Sequence, residues 1–239
     1  MRCQDFPRFL PGLGSAAVSG QNPPMRVIAI DGPAGSGKST VARALAKHLG
    51  LKYLDTGAMY RAVAFAVLRA GGDPDDAEFT SATARLFDLD IGLDRVMVDG
   101  VDATVEIRGP EVSRAVSAVA ANPEVRKELV SRQREWAVRQ GGGVLEGRDI
   151  GTVVFPDAEL KVYLTADPEV RARRRAKEVT DLDYEQVAAD IARRDALDTT
   201  RAADPLVEAA DATVVDTTGL DIDEVVATIT GLLDEEASS

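Results

Sequence analysis

From Met25 onward the apolar residues of this chain follow two rhythms in turn. Arg26-Val27-Ile28-Ala29-Ile30-Asp31 is a short, nearly unbroken apolar run between charges, which suits a parallel strand buried on both faces. Lys52-Tyr53-Leu54, Gly143-Val144-Leu145-Glu146, Leu160-Lys161-Val162-Tyr163-Leu164 and Thr213-Val214-Val215 read as four more strands. Between them the period lengthens to that of a helix. Lys38 to Leu49 repeats Val41, Leu45 and Leu49 on one face. Further helices are expected from a Thr56 cap to Leu68, and from Asn122 to Gln140 with Pro123 in its first turn. Others should start at Asp167-Pro168 with Asp167 as cap, run from Tyr184 to Leu197, and close the chain from Ile222 to Leu233.

Gly71-Gly72-Asp73-Pro74 ends the first unit, and the rhythm then lapses. Val96-Met97-Val98 and Ala103-Thr104-Val105 flank Asp99-Gly100, a hairpin signal. The expected fold is α/β, a three-layer arrangement on a central parallel five-stranded sheet. Its core would comprise residues 25–74 and 122–239, interrupted at 75–121 by a small inserted lobe of short antiparallel strands and helices. Residues 1–24 hold Pro7, Pro11, Pro23 and Pro24 with no lasting periodicity, and read as a disordered extension. Phe9-Leu10-Pro11-Gly12 breaks any apolar run that a secretory signal would need.

The turn after the first strand carries chemistry. Gly32-Pro33-Ala34-Gly35-Ser36-Gly37-Lys38-Ser39 satisfies G-x-x-x-x-G-K-[ST] between a strand and a helix, and Thr40 follows within the helix. Glycines let backbone N–H groups face a polyphosphate, and the helix N-terminus adds a positive dipole end. Lys38 should reach the β- and γ-phosphates of ATP, and the Ser39 hydroxyl should sit on Mg²⁺.

Composition narrows the partners. A net charge of -12 argues against a general nucleic-acid binder, which needs a basic footprint. Arginines that cluster within so acidic a chain suit a small anion in a cleft. One cysteine leaves no intrachain disulfide and no cysteine zinc site, so a reducing cytoplasm is expected. The single histidine, His48, stands at a helix end and leaves no Ser-His-Asp triad in view. No apolar run approaches the length of a membrane span. Both asparagines, Asn22 and Asn122, precede proline, so the Asn-Lys-x-Asp element of guanine readers is missing.

Three further segments are more specific than the phosphate loop. Asp55-Thr56-Gly57-Ala58-Met59-Tyr60-Arg61 resembles the acceptor-side segment of bacterial cytidylate kinases. Glu146-Gly147-Arg148-Asp149-Ile150-Gly151-Thr152-Val153-Val154-Phe155-Pro156 and Arg194-Asp195-Ala196-Leu197-Asp198-Thr199-Thr200-Arg201 are similar to two other signatures of that family. The resemblance runs from about Met25 to the C-terminus and includes the 75–121 insert as a nucleoside-monophosphate-binding lobe. It implies ATP-dependent phosphorylation of CMP and dCMP by a cytoplasmic monomer.

Arginine suits such an acceptor, because a guanidinium binds phosphate bidentately and never deprotonates. Arg61, Arg148, Arg194 and Arg201 are the candidates for the CMP phosphate, with Arg148 also in a catalytic role. Arg194, Asp198 and Arg201 could share one helix face, where Asp198 suits a ribose hydroxyl. The resemblance puts Ser117, Arg126 and Asp149 on the cytosine edge, with Thr56 and Tyr60 beside the acceptor. Arg171, Arg174 and Arg175 share a helical face in an arginine-rich segment read as a lid over about 172–186, and Arg171 and Arg175 are the preferred catalytic pair. Two alternatives stay open: a related kinase of AMP, UMP or a small alcohol, and a regulatory module that binds ATP only as a ligand.

Overall fold

The computed structural model describes residues 25–177 and 183–236. The expected disordered extension at 1–24 lies outside the described residues. β1 (Arg26–Asp31) runs through the phosphate loop into α1 (Lys38–Leu49), and β2 (Tyr53–Asp55) into α2 (Thr56–Arg69). The insert follows, with α3 (Ala77–Leu86), β3 (Leu89–Ile91), β4 (Val96–Val98), β5 (Val101–Asp102) and α4 (Pro110–Ala121). The chain returns to the core through α5 (Pro123–Gln140) and β6 (Gly142–Gly147). β7 (Leu160–Thr165), α6 (Pro168–Ala176), α7 (Tyr184–Thr200), β8 (Thr213–Asp216) and α8 (Ile222–Glu236) complete it.

The core sheet is parallel, in the order β2-β6-β1-β7-β8, with Ile28 opposite both Val144 and Leu160. Alternation along β1 divides the apolar load between two layers. Val27 and Ala29 face a cluster that includes Val63, Leu129 and Ile150, while Ile28 and Ile30 face Leu45, Val226 and Ile229. Helices on both faces explain why these strands read as apolar runs rather than half-polar ones. None of the helices is long and apolar enough to cross a membrane among the described residues.

Some local expectations need correction. Asp55, not Thr56, caps α2, its carboxylate accepting from the Ala58 N–H at 2.9 Å. The Thr56 hydroxyl instead donates to the Glu146 carbonyl at 2.6 Å and pins α2 to β6. The hairpin turns at Asp99-Gly100, both with positive φ, but pairs Val98 with Val101. Ala103–Val105 is therefore not its second strand: Asp102 accepts from the Thr104 N–H and hydroxyl and turns the chain away. β3 adds a third strand to this small sheet. Helix α7 runs on past Leu197 and leaves Arg201 at its C-terminal cap.

Candidate active site

The strands end together at their carboxyl edge, where ligands of open α/β sheets bind. A cleft of about 820 Å³ opens there, floored by Gly35 to Thr40. In the phosphate loop Gly32 has φ 147°, and a Cβ on it would lie 2.1 Å from the Leu164 carbonyl oxygen, so only glycine fits. The loop is further held by the buried Ser36, whose hydroxyl donates to the Pro33 carbonyl. Gly32 and Pro33 form the back of the turn and do not line the cleft. The Lys38 ammonium also donates to the Pro33 carbonyl, at 2.7 Å. Burial, helped by the nearby Arg148 charge, pulls its pKa down to about 7.

The carboxyl end of β6 supplies a second wall. Buried Glu146 faces Lys38 and takes the Tyr53 hydroxyl at 2.5 Å; burial and the neighbouring Asp55 hold its carboxyl above the usual range. Ser39, Glu146 and Asp55 all line the cleft, a set of hard oxygens of the kind that suits Mg²⁺ beside phosphate. Beyond Arg148 and Asp149 the chain makes a π-turn (Ile150–Val154) that the periodicity did not reveal. Asp31, at the end of β1, fastens it by accepting from the Ile150 and Gly151 N–H groups at 2.9 and 2.7 Å. Burial raises the Asp31 carboxyl to about 6 even against those two bonds.

Opposite the phosphate loop the arginines converge. Arg61, Arg148, Arg194 and Arg201 all line the same cleft, together with Thr56, Tyr60, Ser117, Arg126, Asp149 and Asp198. Arg61 donates to the Ile107 carbonyl and the Ser113 hydroxyl, and Arg194 to the Ser113 carbonyl at 2.7 Å. No carboxylate neutralises this pair in those contacts. Burial together with the charges of Arg194 and Arg175 brings Arg61 down to about 9, and burial with Arg175 and Arg148 lowers Arg194 as well. Crowded guanidiniums in a dry wall are stabilised by an incoming dianion. Arg148 is balanced instead by Asp198, at 2.7 Å from its Nε.

A more polar corner lies behind. Arg126 is 1% exposed and pairs with Asp149 through Nη2, above the Tyr60 ring at 5.5 Å from its centroid. Burial works against the Arg126 charge, but Tyr60, Asp149 and Asp204 outweigh it and raise its pKa. Arg201 Nη2 lies 3.6 Å from Asp149 and is a buried donor with no hydrogen-bond partner among the described residues.

The arginine-rich helix divides differently from its spacing. Arg174 and Arg175 line the cleft, and Arg171 does not. Arg171 is buried, donates to the Ala34 and Ala166 carbonyls at 3.0 and 3.1 Å, and pairs with Asp195. It braces the phosphate loop against α7 rather than facing the cleft, because Asp195 and the Ala34 carbonyl sit on its side of α6. Of the lid expected at about 172–186, residues 178–182 lie outside the described residues.

The sequence reading also missed part of the wall. Arg108 lines the cleft and pairs with Asp55 at 3.1 Å. On the far side, Leu220, Ile222 and Val225 form an apolar rim beside Arg174, which donates to the Thr217 hydroxyl and carbonyl. Leu220 lies just after the last strand and Ile222 and Val225 in α8, and no local motif marks them.

A sequence profile described as cytidylate kinase matches residues 28–235. The cytidylate kinase of Pelotomaculum thermopropionicum is 53% identical over 212 residues, covering 84% of this chain and 93% of that protein. That of Mycobacterium leprae is 50% identical over 218 residues, covering 89% and 97%. Among solved structures, an uncharacterised protein from Eubacterium ventriosum superposes with a TM-score of 0.50 at 12% identity, covering 87% of this chain and 98% of its own, a likeness of fold alone.

Proposed function

We infer that this chain, which belongs to the cytidylate kinase family, transfers the γ-phosphoryl group of ATP to CMP and dCMP. The observation that carries the reading is one cleft lined both by Lys38 with the phosphate loop and by Arg61, Arg148 and Arg194. Two anions must be brought together here, and their mutual repulsion is the first obstacle to reaction.

In this reading Ala34 to Thr40 bind the ATP phosphates, with Gly32 and Pro33 shaping the turn behind them, Lys38 holds the β- and γ-oxygens, and the adenine rests between Arg174 and the Leu220–Val225 rim. Arg61, Arg148, Arg194 and Arg201 receive the CMP phosphate, and Asp198 takes a ribose hydroxyl. Arg126, Ser117 and Asp149 read the cytosine edge above Tyr60. Cytosine presents an amine donor beside two acceptors, which meets a carboxylate and a guanidinium; uracil presents the reverse and would leave buried groups unpaired, at about 1–3 kcal/mol each. The unpartnered Nη2 of Arg201 supports an acceptor group at this place.

A phosphate oxygen of CMP attacks the γ-phosphorus in line, the bond from γ-phosphorus to the bridging oxygen breaks, and ADP leaves. Phosphoryl transfer asks for position and charge rather than a protein nucleophile. Arg148 and Arg175 carry charge to the transferring group, while Arg171 positions the phosphate loop. Mg²⁺, held with the ATP phosphates by Ser39, would neutralise charge on the leaving diphosphate. The same reading takes the protein as a cytoplasmic monomer whose partners are its nucleotides.

An assay of ADP release with MgATP and CMP, dCMP, UMP or AMP tests it. CMP and dCMP should be turned over most efficiently. Activity on AMP with none on CMP would refute the acceptor assignment, and ATP binding without ADP release on any acceptor would refute catalysis.

A further inference from the structure

Asp204 lies beyond α7, outside the cleft wall and outside every motif singled out in the sequence. Its backbone has φ 47°, a left-handed conformation shared by only one other non-glycine residue among the described residues, Asp99 of the hairpin turn. Aspartate and asparagine enter that region more readily than most side chains. The conformation lets one residue hold two arginines. The Asp204 carboxylate accepts from Arg126 Nε at 2.7 Å, and its carbonyl accepts from Arg201 Nε at 2.7 Å. The Leu206 N–H then donates to the Asp198 carbonyl at 2.8 Å and closes the loop onto α7.

Counting donors shows the consequence for Arg126. A guanidinium has five N–H groups in one plane. Nε is taken by Asp204, one Nη1 bond goes to the Ala120 carbonyl at 3.2 Å, and one Nη2 bond goes to Asp149. The Tyr60 ring packs against the same plane. Two N–H groups are left over, one on each Nη.

We propose that Asp204 is a positioning residue for base selection, which fixes the Arg126 guanidinium so that its two remaining N–H groups meet the ring nitrogen and carbonyl of cytosine. The proposal rests on the reading of Arg126 and Asp149 as the base site. Without the Asp204 carboxylate, Arg126 Nε loses its acceptor and competes for Asp149 or for the pyrimidine itself. The edge then no longer presents one fixed pattern, so CMP binds more weakly and UMP is penalised less.

Two substitutions separate this role from a structural one. Asp204→Gly removes the carboxylate and eases the left-handed backbone, while Asp204→Asn keeps both an acceptor oxygen and tolerance of that backbone. Initial rates of the full chain with MgATP and either CMP or UMP, together with thermal denaturation, give the readouts. For Asp204→Gly the KM for CMP should rise about ten-fold and the CMP-over-UMP ratio of kcat/KM should narrow about ten-fold, with kcat and the KM for ATP changed by less than about two-fold. Its Tm should fall by no more than about 5 °C, the cost of one lost buried hydrogen bond, and Asp204→Asn should recover most of the loss. Wild-type KM and selectivity in Asp204→Gly would overturn the proposal, as would a parallel loss of kcat, ATP affinity and Tm. Arg126→Lys distinguishes the two levels: if it leaves the KM for CMP unmoved, the base-site reading falls and this proposal with it. If it is impaired while Asp204→Gly is not, only the role of Asp204 falls.

Discussion

Lys38 offers a test of the charge logic on which the site depends. It is 6% exposed, and burial with the neighbouring Arg148 lowers its pKa from 10.5 to about 7. A lysine depressed in the folded state binds fewer protons there than in the unfolded chain between those two values. The free protein should therefore gain stability from this group as pH rises from about 7 towards about 10.5, and carry the full cost of the buried charge below that window. A bound triphosphate reverses the shift, because an adjacent polyanion favours the ammonium. ATP binding must then take up a proton wherever the free lysine is neutral. With a pKa of about 7, roughly 0.9 proton is taken up at pH 8, about 0.5 at pH 7 and about 0.1 at pH 6. Calorimetric titration of MgATP without an acceptor, repeated in buffers of different ionisation enthalpy, measures this uptake directly as the slope of observed enthalpy. Lys38→Met should abolish the uptake at pH 8 and lose most turnover. Zero uptake at pH 8 in the wild type, or the same uptake in Lys38→Met, would refute the placing of a neutralised lysine at the phosphates.

Asp149→Asn should narrow the preference for CMP over UMP by about ten-fold, since the amide can donate as well as accept, and paired kcat/KM values for the two acceptors check this. Arg171→Ala should lower stability by about 2 kcal/mol through loss of its bonds to Asp195 and Ala34 and raise the KM for ATP, while CMP binding changes little. Denaturant unfolding and separate titrations of ATP and CMP measure those effects; a loss confined to kcat would instead put Arg171 at the transferring group.

The five strands were legible because both faces of the sheet are covered, so each strand reads as an apolar run. The phosphate loop was legible because its chemistry is local: eight consecutive residues do one job. The acceptor-side candidates rest on resemblance, and what the structure adds is that Arg61, Arg148, Arg194 and Arg201 line one cleft. What escaped depends on partners distant in the chain. Helical spacing put Arg171 and Arg175 on a shared face, but it could not show that Asp195 would hold one of them away from the cleft. Leu89-Asp90-Ile91 is too short and too exposed to signal a strand before β4 pairs with it. Thr56 looked like a cap because its type suits one, whereas Asp55, one residue earlier, has the extended cap backbone and accepts from the Ala58 N–H. The apolar rim from Leu220 to Val225 belongs to the last βα connection and meets the cleft only after the sheet has formed.

The sheet order explains why one strand carries so much of the chemistry. β6 lies between β1, which leads into the phosphate loop, and β2, which leads into the acceptor helix α2. Glu146, near the end of β6, and Arg148 and Asp149, just beyond it, therefore lie between the phosphate loop and α2, and all three line the cleft. On the other side of β1, the connection after β8 brings Thr217 and the apolar rim to the same cleft. Ser117 of α4 and the buried Arg126 of α5 line the cleft as well. Asp31 then ties the two halves together, since a carboxylate at the end of β1 holds the first N–H groups of the turn that follows Asp149.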